Sequence, residues 1–294
     1  MKVLIYGAGV VGSIYAVRLH EAGIDVTLVA RGTRLAAIRQ HGVLVAGGDD
    51  GAVRSVPVPV VDHPSGDWDL IVVIVRSHQV DEVLESVTGL GGDVLFLVNW
   101  AAGPGPLAEV IGRDRVLLGF PNQGGVMDGD VVRYRLESPT TRLVSMPIGE
   151  PDGRTTPRLE RILALFRGAG FRVTTESQMD AWLRTHAAFE VPLSRAVHTA
   201  GDPVALSSDR VAVRSMVRDI RRSLATMPNP TVPRGFRLLG VLPEGLLARV
   251  FTSFLRSSAA GPLRTDSAAV SRELDTLDEQ LRASEVDGAG RLER

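Results

Sequence analysis

The chain has 294 residues and no cysteine. That absence removes disulfides, thiol nucleophiles and cysteine-ligated zinc or iron–sulfur centres together. It is compatible with a reducing compartment. Lysine is almost missing as well: Lys2 is the only one, and the remaining basic residues are arginines. Lys2 opens the first predicted strand and faces solvent, so a Schiff base or an interior lysine proton donor is not expected. Neither sign of charge is in excess, since 33 Lys+Arg against 34 Asp+Glu leaves −1. Nothing in that balance calls for a nucleic-acid partner or an anionic membrane. Long apolar runs are absent too. The strongest, Leu70 to Val75, is far short of the ~18 residues that span a bilayer. The opening MKVLIYGAGVVG has one charge and a short apolar run that ends in glycine, where a secretory signal needs ~7–15 apolar residues. A soluble, cytoplasmic protein is expected. There is no G-x-S-x-G and no H-E-x-x-H, and the 6 histidines are scattered without metal-ligand spacing. No metal site is expected.

What is present is an alternation. At ~150 residues per domain the length predicts two domains, and 44% hydrophobic residues suits a globular core. Val3–Tyr6, Asp25–Ala30, Leu70–Val75 and Val94–Val98 read as strands. Val10–Ala22, Arg31–His41 and Val80–Val87 read as helices. Short strand candidates at Val43–Val45 and Val53–Val61 flank the turn GGDDG. Strands alternating with helices predict a parallel, doubly wound α/β sheet. Val116–Gly119, Val131–Leu136 and Leu143–Ile148 are further strands, expected to add non-parallel members to that sheet. Thr156–Gly168 reads as a helix and Phe171–Thr174 as a last strand. From Met179 the pattern is helical, over 179–199, 207–226, 243–256 and 267–284, with an interruption or kink near Pro192. PNPTVP at 228–233 is a loop, and the final DGAGRLER is expected to fray. The expected domains are 1–177, a Rossmann-type unit, and 178–294, a helical unit for substrate and dimerisation.

Gly7-Ala8-Gly9-Val10-Val11-Gly12 is a G-x-G-x-x-G that follows a strand and opens a helix within a ~30-residue βαβ unit, the context this pattern needs. Gly7 permits the tight turn, Gly9 lets a pyrophosphate approach the backbone, and Gly12 lets the helix pack on the strand. Gly7, Gly9, Val10, Val11 and Gly12 are therefore candidate cofactor-binding residues. A dinucleotide site selective for NAD carries Asp or Glu at the end of the second strand. This chain has Ala30 then Arg31, with Arg34 one turn on. Arginine there can clamp a 2′-phosphate, which favours NADP(H). The alternative is a pair of solvated arginines at a helix start.

On these residues the chain resembles the ketopantoate reductase (2-dehydropantoate 2-reductase) family, as a divergent member. The resemblance rests on GAGVVG, on RGTRL from Arg31, on Arg76-Ser77-His78-Gln79 after the fourth strand, on Asn99 after the fifth, and on Asp180-Ala181-Trp182-Leu183-Arg184. GFPNQGGVMDGDVVRY and MDAWLRTHAAFEVPL carry it further. It implies a Rossmann domain followed by a helical one, an active site in the cleft between them, and NADPH reducing a 2-oxo acid. It also implies cofactor contacts from Arg76, Gln79 and Asn99. Departures accompany it. The family's lysine after the fourth strand is Arg76, the glycine after Asn99 is Trp100, and the catalytic lysine is Arg184. Two substrate-holding asparagines fall at Ala188 and Pro192, and a late acidic position aligns loosely with Asp266.

Carbonyl reduction needs a hydride and a proton or strong hydrogen bond at the developing alkoxide. Arg184 can polarise a carbonyl or bind a carboxylate, but with a pKa above ~12 it does not donate a proton. An inter-domain ion pair is its alternative role. His186 lies ~200° around the helix from Arg184 and suits a local pair with Glu190. His78, at the carboxyl edge of the sheet, is the preferred acid. Asn99 can bond the nicotinamide or a substrate hydroxyl. Trp100 walls a pocket for a bulky substrate or belongs to the core. Arg210, Arg214, Arg218 and Arg222 recur every four residues, as an anion or partner site or as a solvated face. The catalytic candidates are Arg184, Asn99 and His78. Two functions follow: an NADPH-dependent reductase of a ketone, 2-oxo acid or imine that is not ketopantoate, or an NADP(H)-binding protein without redox turnover. A small-molecule substrate and a homodimer are the expected partners.

Overall fold

A computed structural model describes residues 1–47, 51–134, 145–227, 231–263 and 267–292. The tip of the GGDDG turn, the ends of two expected strands at 135–136 and 143–144, residues 228–230 of PNPTVP, and Asp266 lie outside the described residues. The chain forms two compact units: Met1–Val98 with Pro104–Met179, and Asn99–Gly103 with Asp180–Arg294. The second unit thus takes a short strip from the middle of the first half of the sequence, which a single boundary at 177 does not provide for.

The strands of the first unit are β1 (Lys2–Tyr6), β2 (Asp25–Val29), β3 (Val43–Gly47), β4 (Val53–Val56), β5 (Val60–Val61) and β6 (Asp67–Val73). They continue with β7 (Gly91–Leu97), β8 (Val116–Gly119), β9 (Gly125–Asp128), β10 (Val131–Tyr134), β11 (Met146–Gly149) and β12 (Val173–Thr175). The helices are α1 (Val10–Glu21), α2 (Gly32–His41), α3 (Val80–Val87), α4 (Gly105–Ile111) and α5 (Pro157–Gly168). The main sheet has the order β12-β11-β8-β7-β6-β1-β2-β5. From β5 to β8 all pairings are parallel, while β11 runs antiparallel to β8. The expected α/β doubly wound sheet is therefore present, and its order reverses between β1 and β6. In such sheets ligands bind outside the carboxyl ends of the strands at that reversal. The central strands are apolar on both faces, and Val3, Leu4, Ile5, Leu70, Ile71 and Val72 are fully buried. Helices cover both sides, so no alternation survives in these strands.

The expected non-parallel addition to the main sheet is β11. Not every later strand joins it, because β9 and β10 form a second sheet with β3 and β4, in the order β4-β3-β10-β9. β10 pairs parallel with β3, Val131 opposite Leu44. Val43, Val45, Val132 and Tyr134 turn inward and share a core with α1. The period-two pattern of Val131–Tyr134 specifies a half-buried strand but not which sheet receives it. Helix α1 lies between the two layers. Ile14, Tyr15, Ala16, Val17 and Leu19 are all fully buried on it, which is why it has no polar face.

At the amino edge of the main sheet Glu150 is 3% exposed and meets Arg158 of α5. Arg158 Nε donates to Glu150 Oε1 at 2.8 Å and Nη1 to Asp93 Oδ1 at 3.0 Å. Thr156 caps α5 by accepting from the Leu159 N–H. Its hydroxyl donates to the same Glu150. A shallow depression over this edge is lined by Asp69, Asp93, Arg115 and Arg158, which already serve this framework. Removing one partner of a buried pair leaves the other charge uncompensated. Arg158→Leu is expected to cost about 3 kcal/mol of unfolding free energy at neutral pH. Urea denaturation checks this, and a loss below about 1 kcal/mol, the worth of a surface pair, would show that the pair is ornamental.

The second unit contains α6 (Met179–Ala200), α7 (Pro203–Ser208), α8 (Arg210–Ala225), α9 (Arg237–Val241), α10 (Glu244–Arg256) and α11 (Ser267–Leu292). Of the interruption or kink expected near Pro192, the interruption does not occur. α6 runs through it, with Val191 and Leu193 on either side buried in the unit's cores, so packing holds a helix that proline alone disfavours. The expected helix 207–226 is two helices. Asp209 stops α7 and caps α8, its carboxylate accepting from the N–H groups of Val211 (2.8 Å) and Ala212 (3.0 Å). α11 is helical as far as Leu292, and the last two residues of DGAGRLER lie outside the described residues. Ala101, Ala187 and Ala188 pack with Val191 and with Leu274, Leu277 and Leu281 of α11. These small residues let the strip 99–103 lie against α6, and the Ala101 N–H donates to Gln280 Oε1 at 2.8 Å. No helix among the described residues is long and apolar enough to cross a membrane.

Candidate functional site

The first candidate site is the turn between β1 and α1, at the strand-order reversal. Gly7 has φ +121°, and a Cβ there would lie 2.1 Å from the Ile74 carbonyl oxygen that follows β6. A Cβ on Gly12 would lie 1.8 Å from the Gly7 oxygen. Both positions admit only glycine. Gly9 differs, since a Cβ there would meet nothing within 4 Å. The space over Gly9 is open. α1 starts with no side-chain cap at Gly9. The N–H groups of its first turn, from Val10, Val11 and Gly12, have no acceptor within the helix. By contrast Thr156 caps α5, and Asp202 and Asp209 cap α7 and α8. An open cradle over unpaired N–H donors at a helix N-terminus fits a dinucleotide pyrophosphate.

The two arginines after β2 separate in role. Arg31 is half exposed. It pairs with Glu82 and donates through Nη2 to the Tyr6 hydroxyl at 2.9 Å. Arg34 bonds within the framework of the turn. Its Nε donates to the Ala8 carbonyl at 3.2 Å, Nη2 to Ser13 Oγ at 3.2 Å, and Nη1 to the Asp130 carbonyl at 2.8 Å. It ties the glycine turn to α1 and to the β9–β10 turn. Only the three-dimensional course of those turns reveals that role, since Ala8 and Asp130 are far apart in sequence.

Arg76, His78 and Gln79 stand in the turn that follows β6, beside the glycine turn, because Gly7 packs on Ile74 and Val75. Gln79 folds back on this turn, its Oε1 accepting from the Arg76 N–H at 3.2 Å. His78 is half-buried. Lys2 lies at the opposite end of β1, its ammonium 4.2 Å from the centroid of the Trp68 ring, so the one lysine is remote from this site.

The second set of polar groups belongs to the other unit. Asn99 Nδ2 donates to Glu190 Oε2 at 2.6 Å, and the same oxygen lies 3.1 Å from His186 Nδ1. The His186 ring stacks on Trp182, with centroids 5.3 Å apart and planes 6° from parallel. Asn99 Oδ1 is buried and has no hydrogen-bond partner among the described residues. At the other end of the strip, Gly103 faces Asp180 and Arg184, which form an i,i+4 ion pair. Arg184's partner is therefore on its own helix, not the inter-domain ion pair that was the alternative. Burial pushes the Asp180 carboxyl above its ordinary range, against the pull of Arg184. Asn99 reaches α6 at Glu190, six residues beyond Arg184, or about 9 Å along the axis.

Trp100 is 5% exposed and donates through Nε1 to the Gly103 carbonyl at 2.7 Å. It is a core residue that pins the strip. Ala188 is fully buried. Arg218 and Arg222 of the arginine stripe pair with Glu244 and Asp219 at the surface. The residue that sequence reasoning left outside the site is Glu190, which joins Asn99 to His186. Its pairing with His186 was legible from the i,i+4 spacing. The approach of Asn99, 91 residues away, was not. Among the described residues no group of His, Asp or Glu could hold a metal ion.

Comparison with known proteins bears on both halves. The 2-dehydropantoate 2-reductase of Pyrococcus horikoshii is 28% identical over 185 residues, 62% of this chain and 58% of that protein. The enzyme of the same description from Archaeoglobus fulgidus is 29% identical over 181 residues, 61% of this chain and 57% of that one. The aligned part thus spans less than three-fifths of these curated relatives. Among solved structures, a PanE/ApbA family ketopantoate reductase from Ralstonia eutropha superposes with a TM-score of 0.70 at 21% identity, over 98% of this chain and 100% of that one. D-mandelate dehydrogenase with NADH and anilino(oxo)acetate superposes equally well, TM-score 0.70 at 16% identity over 98% and 100%. Both share the fold. Residues 3–144, just under half of the chain, match the family described as ketopantoate reductase PanE/ApbA, and by that match and these relatives the chain is similar to the ketopantoate reductase family, at moderate identity to its named members.

Proposed function

We propose that this chain is an NADPH-dependent oxidoreductase that reduces a ketone, 2-oxo acid or imine other than ketopantoate. The observation that carries the reading is the open cradle over Gly9, bounded by two positions that admit only glycine, at the reversal of a doubly wound sheet. When bound, the cofactor supplies the hydride. Val10, Val11 and Gly12 hold the pyrophosphate through their N–H groups, and Arg34 keeps the turn in shape. Asn99 offers Oδ1 as an acceptor for a substrate hydroxyl, its amide nitrogen being held by Glu190. Arg184 polarises the substrate oxygen and, as an arginine, leaves the proton to another group. His78, in the turn that follows β6, is the candidate proton donor by the chemistry of its side chain. A protein of this fold, D-mandelate dehydrogenase, is known with NADH and anilino(oxo)acetate, which supports a 2-oxo acid bearing an aromatic group as one substrate to try first.

A second reading, an NADP(H)-binding protein without turnover, draws on the pairing of Arg184 with Asp180, which neutralises the cation that would meet a substrate. Screening turnover of 2-oxo acids, ketones and imines by NADPH oxidation separates the two.

Arg31 governs the choice of cofactor. Its exposed pair with Glu82 is of a kind worth about 0–1 kcal/mol, less than a charge-assisted bond to a 2′-phosphate at about 1.5–3 kcal/mol. The phosphate displaces the carboxylate. NADPH is expected to bind at least about 10-fold more tightly than NADH, and Arg31→Ala to abolish the difference. Calorimetric titration of both cofactors checks this, and equal wild-type affinities would refute it.

A further inference from the structure

Gln123 lies in the loop that leaves β8 at Gly119 and enters β9 at Gly125, and it is 8% exposed. Its neighbours orient its amide. Asn122 Nδ2 donates to the Arg172 carbonyl at 3.3 Å, which makes Asn122 Oδ1 the accepting end. That oxygen receives Gln123 Nε2 at 3.3 Å and the Tyr15 hydroxyl at 3.4 Å. The chain of amides therefore has a direction, set at one end by a backbone carbonyl that can only accept. At the other end it leaves Gln123 Oε1, buried and with no hydrogen-bond partner among the described residues. A buried amide oxygen is costly until a donor reaches it.

The loop runs against the cofactor turn. Two residues beyond Gln123, a Cβ on Gly125 would lie 3.2 Å from Val10 Cγ1, in the first turn of α1. Strand order indicates which part of a dinucleotide comes near. Arg31, at the end of β2, marks the adenosine side. β8 lies across the β1/β6 reversal, on the half of a doubly wound sheet that takes the second nucleotide. The one strong N–H donor of that nucleotide is the carboxamide of its nicotinamide. We propose that Gln123 Oε1 accepts a hydrogen bond from this carboxamide and so selects for the amide and orients the ring. The proposal rests on the reading above that the chain binds NADP(H).

The test uses NADPH and its reduced 3-acetylpyridine analogue, in which a methyl ketone replaces the amide and no N–H remains. Binding to the full chain is read by calorimetry, without substrate and without turnover. The wild type is expected to prefer NADPH by about 10-fold, the size of one hydrogen bond made in a buried site. Gln123→Met keeps the length of the side chain and removes the acceptor. It is expected to bind both dinucleotides alike, at the weaker level, with an unchanged melting temperature in the absence of cofactor. A wild type that binds the two equally overturns the proposal without recourse to any variant. So does a Gln123→Met protein that retains the preference. A wild type that binds neither dinucleotide refutes the underlying reading instead, and the two failures are told apart by that one titration.

Discussion

With ketopantoate as substrate, NADPH oxidation by this protein is expected to run about 10²–10⁴-fold below the rate that a general acid would support. Arg184 occupies the position at which the resemblance implies a lysine, and its guanidinium is held by Asp180. A guanidinium offers charge and a rigid fork of donors but keeps its proton. The chain's single lysine, Lys2, lies over Trp68 at the far end of β1 and cannot substitute. Ala188, fully buried, and Pro192 carry no polar side-chain atoms where the resemblance implies two asparagines. Loss of that positioning can cost as much again as the missing acid. Steady-state kinetics on the wild type and on Arg184→Lys give the measurement. A wild-type kcat near ~10 s⁻¹, that of an ordinary enzyme, would sink the expectation. Partial recovery in Arg184→Lys is expected, since a lysine at 184 keeps the pair with Asp180 and adds a group that can give up a proton.

The second large effect separates folding from binding within one turn. Gly9→Ala is expected to leave the melting temperature unchanged, because its methyl group would meet nothing within 4 Å. It is also expected to weaken NADPH by about 100-fold, since that methyl stands where a phosphate must approach the N–H groups of α1. Gly12→Ala behaves in the opposite way. Its Cβ would stand 1.8 Å from the Gly7 oxygen, so the backbone must move, at a cost of about 1–3 kcal/mol even without cofactor. Thermal melts and NADPH titrations of the two variants decide the matter. A Gly9→Ala protein that binds like the wild type would show that no ligand uses the cradle.

Much of the site was legible because it depends on local geometry. The glycine spacing specifies a turn and a helix contact, both visible in what a Cβ on Gly7 or Gly12 would strike, and between them the open position of Gly9. The His186–Glu190 pair follows from helical periodicity, as does the opposite orientation of Arg184. Other roles depend on which distant segments arrive. Arg34 lies one turn from Arg31, yet it bonds the Ala8 and Asp130 carbonyls and the Ser13 hydroxyl. Trp100 was open between pocket wall and core until its indole met the Gly103 carbonyl in a buried strip. Pro192 predicted an interruption or a kink, and the packing of α6 carries the helix through it without interruption.

The sequence by itself determined the doubly wound sheet, through apolar runs of strand length alternating with amphipathic stretches, and it determined the glycine cradle and the absence of an interior lysine. These are properties of residue type and spacing, which need no knowledge of distant neighbours. Tertiary structure alone decided that β9 and β10 leave the main sheet to pair with β3, because hydrogen-bond pairing between strands leaves no mark on the composition of either. It alone decided that Asn99–Gly103 leaves the first unit and packs along α6, where alanines permit close approach. It alone decided that Gln123 ends a directed chain of amides with a buried acceptor, since that direction is set by a carbonyl 50 residues from Asn122.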